Sequence, residues 1–175
     1  MRWESELVRW VQGAVGRWWT LDATMRAGAR WGSYAEIALW LSLLARGGQR
    51  RTAGAAWSRT ALALGVASAL VLALRTLAPR ARPFVAGDAV ALVPREPGPS
   101  FPSRHVASAV AMAICVRAAS PRRALLMAAL AALMAASRVY CGLHYPSDVL
   151  AGAALGSLAA RLAWVGTGGA ADSGR

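Results

Sequence analysis

The chain has 175 residues, of which 57% are hydrophobic and only 16% are charged, whereas a typical water-soluble domain carries roughly a quarter of charged residues. This composition suits one domain embedded in lipid and argues against a larger aqueous core. The net charge of +12 comes from 20 basic residues, all arginine, which punctuate apolar stretches rather than clustering on one polar face, and this argues against a nucleic-acid-binding protein.

The first predicted element is an amphipathic helix over residues 1–30. Apolar residues such as Trp3 and Trp10 recur there at helical spacing, and polar residues such as Glu4 and Arg9 occupy the opposite face. Five of the eight tryptophans lie in the first 31 residues, and tryptophan favours the membrane–water boundary. We expect an interfacial helix here; an ordinary half-buried helix is the alternative, and the early acidic residues exclude a signal peptide.

Five apolar segments follow, and each is expected to form a helix. They run from about residue 33 to 45, 53 to 77, 106 to 119, 124 to 140, and 149 to 165. Their uncharged stretches are shorter than the roughly 20 residues that span a bilayer, so arginines near their ends, such as Arg59 and Arg161, would lengthen them by snorkelling. The pattern predicts an all-α, integral-membrane bundle of about six helices, with its core at residues 31–165 and a disordered tail at 166–175.

Two kinds of connection alternate between the segments. The Arg-rich connections at residues 46–52 and 117–123 belong in the cytoplasm by the positive-inside rule. The connections at residues 75–105 and 138–148 then emerge together on the extracytoplasmic face of the cell membrane. The same alternation places the N-terminal helix on that outer side.

Three groups of residues in the outer connections carry candidate chemistry. The first group is Arg75, six residues, then Arg82-Pro83; the second is Pro102-Ser103-Arg104-His105; the third is Ser137-Arg138, five residues, His144, three residues, then Asp148. Each alone has a structural explanation, such as snorkelling arginines, a buried histidine or a helix N-cap at Ser103. Together they favour an anion site, because ionisable groups at membrane depth are costly and guanidinium groups match phosphate oxygens.

The predicted helix starts support the same ligand. Ser103 precedes one apolar helix, and Pro146 lies just inside the start of the last one, where proline is tolerated. Free N–H groups at helix N-termini bind anions, so the helix starts at about Arg104 and Ser147 are expected to point at one phosphate.

The three groups together resemble the motifs of the type-2 phosphatidic acid phosphatase superfamily. That family's pattern is a basic residue, six residues, Arg-Pro; then Pro-Ser-Gly-His; then Ser-Arg, five residues, His, three residues, Asp. The match runs from Arg75 to Asp148 and has two departures. Arg75 stands where the family usually has Lys, and Arg104 stands where it has Gly, so that the Arg104 side chain would meet either a second phosphate or lipid headgroups.

The resemblance implies a membrane phosphatase that needs no metal or other cofactor. His144 would be the nucleophile that forms a phosphohistidine, with Asp148 orienting it. His105 would protonate the leaving oxygen and then activate water. The groups that would bind the phosphoryl oxygens are Arg75, Arg82, Arg138 and the backbone at Ser103 and Arg104.

The substrate implied is a lipid phosphate or lipid diphosphate, and the sequence favours a polyprenyl diphosphate such as undecaprenyl diphosphate. The alternative is a glycerolipid phosphate such as phosphatidic acid or phosphatidylglycerol phosphate. A protein of another class, an anion channel gated by the arginines, would tolerate substitution of His144. Cys115 and Cys141 lack metal-binding spacing and are expected to be buried thiols. No pattern indicates an oligomeric state.

Overall fold

The computed structural model describes residues 2–42, 50–94 and 97–167. Within these residues the chain forms seven helices and no strand, which confirms the predicted all-α architecture. The helices are α1 (Arg2–Gln12), α2 (Trp19–Leu41), α3 (Arg50–Leu77), α4 (Pro83–Ala86), α5 (Arg104–Val116), α6 (Pro121–Tyr140) and α7 (Pro146–Gly166). The end of the first apolar segment, most of the connection at residues 46–52 and the predicted tail after residue 167 lie outside the described residues.

Three of the described helices are long and apolar enough to cross a membrane: residues Gly54–Leu77 of α3, and all of α6 and α7. By contrast, α5 has 13 residues and rises about 20 Å, against a hydrocarbon core of about 30 Å. It lies between α3, α6 and α7, and eight of its residues are buried. Because protein rather than lipid surrounds α5, it can be short without exposing its ends to hydrocarbon.

The arginines predicted to snorkel behave differently from one another. Arg161 is exposed, as snorkelling requires. Arg59 is only 7% exposed, its guanidinium lies 3.9 Å from the centre of the Trp164 ring, and its Nε donates to Thr167 Oγ1 at 3.1 Å. The prediction for Arg59 was therefore wrong, since a pairing between α3 and α7 replaces contact with water. Cys115 and Cys141 are free and buried, as predicted.

The N-terminal segment is not the single helix that was predicted over residues 1–30. Helix α1 ends at Gln12, a turn follows in which Gly16 has a φ of +81°, and α2 begins at Trp19 and continues into the first apolar segment. Glycine adopts a positive φ without the steric penalty of a side chain. The apolar spacing continues across this turn, so the periodicity alone concealed the break.

Helix α1 contacts the protein through a mixed polar and apolar face and leaves large apolar side chains exposed. Glu4 and Val8 are 1% and 0% exposed, whereas Trp3 and Trp10 are 52% and 77% exposed. On a water-soluble protein, this orientation would leave large apolar side chains exposed to water. It suits a helix whose outward face meets lipid at the membrane boundary.

Small residues allow α5 and α7 to pack in close contact. A Cβ atom added at Gly152 would lie 2.6 Å from the carbonyl oxygen of Ser103, and one added at Gly156 would overlap the carbonyl oxygen of Ala107. Small residues at helix interfaces let backbones approach closely. The approach brings the second and third groups together, and the Ser103 N–H donates to the Asp148 carbonyl oxygen at 2.9 Å.

We predict that Gly156→Ala separates α5 from α7, because the new methyl group meets a backbone oxygen that cannot move alone. Overpacking of this kind destabilises proteins by about 1–3 kcal/mol, so the melting temperature in detergent should fall. Gly65→Ala in α3 is the matched control, since a Cβ atom there meets nothing within 4 Å. Equal melting temperatures for the two variants would contradict the close packing of α5 and α7.

Candidate active site

The first group begins at the end of α3 and contacts the second group directly. The Nε and Nη2 atoms of Arg75 donate to the carbonyl oxygen of Pro102 at 3.4 and 3.2 Å. Pro102 immediately precedes Ser103. The guanidinium of Arg75 therefore lies beside the start of α5, where the sequence predicted an anion site.

Arg82 joins the first group to the third. It is 2% exposed, its Nε donates to the Gly98 carbonyl oxygen at 3.1 Å, and its Nη1 donates to the Leu143 carbonyl oxygen at 3.2 Å. The same Nη1 lies 3.4 Å from His144 Nε2. A fully charged guanidinium thus stands next to one ring nitrogen of the histidine.

A tight turn after α6 carries His144 into this position. Gly142 has a φ of +71°, and the N–H groups of Leu143 and His144 both donate back to the Arg138 carbonyl oxygen, at 3.0 and 3.3 Å. A positive φ after a helix is the geometry for which glycine is preferred. The turn places His144 two residues before the start of α7 and four residues before Asp148, which lies in the first turn of that helix.

His144 and Asp148 are both fully buried and face each other. His144 Nδ1 lies 3.6 Å from Asp148 Oδ2, slightly beyond an ordinary hydrogen bond, while Asp148 Oδ2 accepts the Tyr145 N–H at 2.7 Å. Burial lowers the pKa of His144 below its usual 6.5, and the guanidinium groups of Arg138 and Arg82 act in the same direction, against the opposing effect of Asp148. The imidazole is therefore neutral at pH 7, with Nδ1 towards the carboxylate and Nε2 towards Arg82.

Ser103 and Arg138 are buried beside this pair. Ser103 occupies the N-cap position of α5, but its side chain makes no capping bond, and its Oγ is buried without a hydrogen-bond partner among the described residues. The predicted N-cap position of Ser103 is therefore confirmed, and the hydroxyl remains available to a ligand. Arg138, in the last turn of α6, is 0% exposed, and its Nη1 lies 3.5 Å from the Ala29 carbonyl oxygen.

Arg104 and His105 occupy the first turn of α5, and His105 borders two cavities. Arg104 is exposed and His105 half-buried. One cavity, of about 340 Å³, includes Arg30 and Tyr34 in its lining. The other, of about 410 Å³, is mostly apolar and is lined by Ser33, Glu36, Ile37, Trp40, Leu64, Arg104, His105, Ser108 and Met112. His105 and Ser33 line both, so His105 lies where the cavity beside Arg30 meets the apolar groove.

The structure changes the predicted role of the second helix start. Helix α5 begins at Arg104, as expected, and its first N–H groups have no intrahelical acceptor. Helix α7 begins at Pro146, but the Ser147 N–H donates to Glu4 Oε1 at 3.1 Å. The prediction that both helix starts point at one phosphate was wrong for Ser147, because a carboxylate of α1 already occupies it.

Sequence reasoning missed two residues that contact the candidate site. Arg80, in the interval between Arg75 and Arg82, donates from Nη1 to Asp148 Oδ1 at 3.0 Å, and from Nη2 to Glu4 Oε2 at 2.7 Å. Glu4 was assigned only to the polar face of the N-terminal helix. The available signal was an additional arginine two residues before Arg82.

Among the described residues, no three His, Cys, Asp or Glu side chains lie close enough together to form a metal site.

Known proteins of one family resemble this chain in sequence and in fold. The model of the PAP2 superfamily matches residues 56–170, more than half of the chain. The crystal structure of LpxE from Aquifex aeolicus is similar, with a TM-score of 0.73 and 26% identity, over 90% of this chain and 92% of that one. The transmembrane PAP2-type phosphatidylglycerolphosphate phosphatase from Bacillus subtilis has a TM-score of 0.66 and 24% identity, over 97% of this chain and 87% of that one. No curated protein sequence matches the chain significantly.

The matched region runs from α3 through α7 and contains all three groups of site residues. The solved structure at 26% identity has the same helical arrangement over nearly its whole length. The chain therefore belongs to the PAP2 superfamily and is a membrane lipid phosphatase.

Proposed function

We propose that the protein hydrolyses a lipid phosphate or lipid diphosphate on the extracytoplasmic side of the cell membrane, through a phosphohistidine formed on His144. The observation that carries this proposal is the environment of the imidazole. It is buried and neutral, its Nε2 lies 3.4 Å from Arg82, and its Nδ1 faces Asp148. These are the requirements of a nitrogen nucleophile that attacks beside a bound anion.

In the first step, the lone pair on His144 Nε2 attacks phosphorus while the bond from phosphorus to the leaving oxygen breaks. The proton on Nδ1 faces Asp148 Oδ2, so the positive charge that develops on the ring meets a carboxylate. His105, at the opening of the groove, donates a proton to the leaving oxygen. The products are the dephosphorylated lipid and the phosphohistidine.

In the second step, water replaces the histidine on phosphorus. His105, now neutral, takes a proton from the water as its oxygen attacks, and the N–P bond breaks. Inorganic phosphate leaves, and His144 returns to its neutral form. The two steps restore the starting protonation of both histidines, so the cycle is balanced without a metal ion.

The phosphoryl oxygens are held by Arg75, Arg82 and Arg138, together with the Ser103 hydroxyl and the backbone N–H groups in the first turn of α5. Arg82 and Arg138 are 2% and 0% exposed. A guanidinium removed from water gains most from an anionic partner, because the interaction is weakly screened there. These groups support stabilisation of the charge that spreads over the equatorial oxygens in the transition state.

The apolar groove beside His105 supports a lipid substrate. Ile37, Trp40, Leu64 and Met112 line it, and its volume is about 410 Å³. Ser108 and Met112 follow His105 along one face of α5, so the groove extends from the catalytic end into the bundle. A hydrocarbon chain attached to the phosphate would lie there.

Arg104 supports a diphosphate. Its side chain is exposed and borders the same groove as His105, where it would contact a second phosphate. This favours a polyprenyl diphosphate such as undecaprenyl diphosphate.

Glu36 favours a second candidate, a glycerolipid phosphate such as phosphatidic acid or phosphatidylglycerol phosphate. Its side chain borders the groove, it is 2% exposed, and its Oε1 has no hydrogen-bond partner among the described residues. A buried polar atom without a partner is costly. Polar linkages near the phosphate, which a polyprenyl chain lacks, would supply that partner.

We predict that His144→Ala lowers kcat by at least ~10³-fold, because the remaining groups bind phosphate but cannot form the intermediate. Wild-type enzyme quenched in alkali after mixing with ³²P-labelled phosphatidic acid should carry label on histidine, and the variant should carry none. Equal elution of both proteins in detergent controls for folding. Retained turnover, or label on another residue, would contradict the proposal.

We predict that Arg104→Gly lowers kcat/KM for undecaprenyl diphosphate about tenfold more than for phosphatidic acid, the effect of losing about 1.4 kcal/mol of differential binding. Arg117→Gly, at the other end of the helix, is the matched control and should change neither value. Equal losses on the two substrates would contradict the proposed contact between Arg104 and a second phosphate.

We predict that the acid limb of the pH profile of kcat/KM lies below pH 6.5. Because the pKa of His144 is lowered from its usual 6.5, the imidazole is still mostly neutral at that pH. Activity is lost only as the pH falls through the lowered value. An acid limb above pH 6.5 would be inconsistent with a buried neutral nucleophile.

A further inference from the structure

We propose that Glu4 and Arg80 are positioning residues for the pair of His144 and Asp148, so that α1 at the membrane surface completes the active site. This inference rests on the proposed role of His144 as nucleophile. Neither residue belongs to the three groups identified from sequence. The proposal depends on a continuous chain of charged contacts from α1 to the imidazole.

Arg80 forms the centre of this chain. Its Nη1 donates to Asp148 Oδ1 at 3.0 Å and to Ser147 Oγ at 2.8 Å. Its Nη2 donates to Glu4 Oε2 at 2.7 Å. The two nitrogens of one rigid guanidinium therefore hold two carboxylates at a set separation, a geometry that a lysine ammonium cannot reproduce.

Arg80 determines the orientation of the Asp148 carboxylate. Asp148 is 0% exposed, and its two oxygens have separate partners: Oδ1 accepts from Arg80, and Oδ2 accepts the Tyr145 N–H and faces His144 Nδ1. Without Arg80, Oδ1 of this buried carboxylate would lose its charged partner. The carboxylate would then rotate or become protonated, and either change weakens its hold on the imidazole.

Glu4 binds both Arg80, which contacts Asp148, and Ser147, which precedes Asp148 in the chain. It is 1% exposed; Oε2 accepts from Arg80, and Oε1 accepts the Ser147 N–H at 3.1 Å. Burial alone would raise the pKa of Glu4, but its bonds with Arg80 and Ser147 outweigh burial and lower it. Glu4 is therefore ionised, and it fixes Arg80 against the first turn of α7.

Further polar contacts connect α1 to the residues around the site. Ser5 Oγ and the Tyr145 hydroxyl both donate to Asp88 Oδ2 at 2.7 Å, and the Arg80 guanidinium lies 3.9 Å from the centre of the Tyr145 ring. The same helix exposes Trp3 and Trp10 outwards. A helix that only anchored the protein would need no buried carboxylate aimed at the catalytic pair.

The test compares two pairs of matched variants in detergent micelles with phosphatidic acid as substrate. Glu4→Gln is compared with Glu6→Gln, since Glu6 is an exposed acid on the same helix. Arg80→Met is compared with Arg9→Met, since Arg9 is exposed and pairs only loosely with Asp88, at 3.5 Å. The measurements are kcat, KM, the rate of phosphoenzyme formation and the melting temperature of each protein.

We expect Arg80→Met to lower kcat and the rate of phosphoenzyme formation about 100-fold, the scale of a misplaced catalytic group, with KM changed less than about threefold. Glu4→Gln should lower kcat about tenfold, and Arg80→Lys should recover only part of the loss, because an ammonium cannot span both carboxylates. Both control variants should keep the wild-type kcat. This pattern separates positioning from a structural role, which would lower the melting temperature and leave the kcat of the folded enzyme unchanged.

Two results would overturn the proposal. An unchanged kcat in Glu4→Gln and Arg80→Met would show a structural contact only, and an increase in KM at constant kcat would show that Arg80 binds substrate. If Arg80→Met does not fold, Glu4→Gln alone decides the matter. If His144→Ala is inactive and Glu4→Gln is fully active, only this inference is contradicted. If His144→Ala is active, the proposed function is contradicted.

Discussion

A charge buried at the end of a membrane bundle must be paired, and this constraint organises the end of the protein that carries the candidate site. Arg82, Arg138, Asp148 and Glu4 are each at most 2% exposed. An unpaired ion at such a position would cost several kcal/mol. The pairing of Glu4 with Arg80 and of Arg80 with Asp148 draws α1 onto the loops that carry the site. The contacts of Arg82 then connect those loops to the imidazole.

These charges can meet only because the helices beneath them pack closely. Gly152 and Gly156 let the backbone of α7 approach α5, and the Ser103 N–H reaches the Asp148 carbonyl oxygen at 2.9 Å as a result. A larger side chain at either glycine would move the start of α5, and with it His105, away from His144. Packing within the membrane and chemistry at its surface are thus parts of one arrangement.

The sequence predicted the features that depend on local pattern, and it missed those that depend on distant pairing. Apolar segments predicted α3, α6 and α7, the described helices that are long and apolar enough to cross a membrane. The spacing from Arg75 to Asp148 identified the three groups. The bond between Glu4 and Arg80 joins residues 76 apart in the chain, so no periodicity could reveal it. The same bond explains why Ser147 was misassigned, since the carboxylate that occupies its N–H lies on α1. The break between α1 and α2 escaped notice because apolar spacing continues through the turn at Gly16.

The central claim is that one oxyanion site lies between His144 Nε2, the buried arginines and the start of α5. An experimental structure of the protein with bound vanadate tests it most directly, because vanadate adopts the five-coordinate geometry of phosphorus in the transition state. We expect vanadium bonded to His144 Nε2, with its oxygens contacting Arg82 and Arg138. Vanadate bound away from His144, or bonded to another residue, would contradict the account.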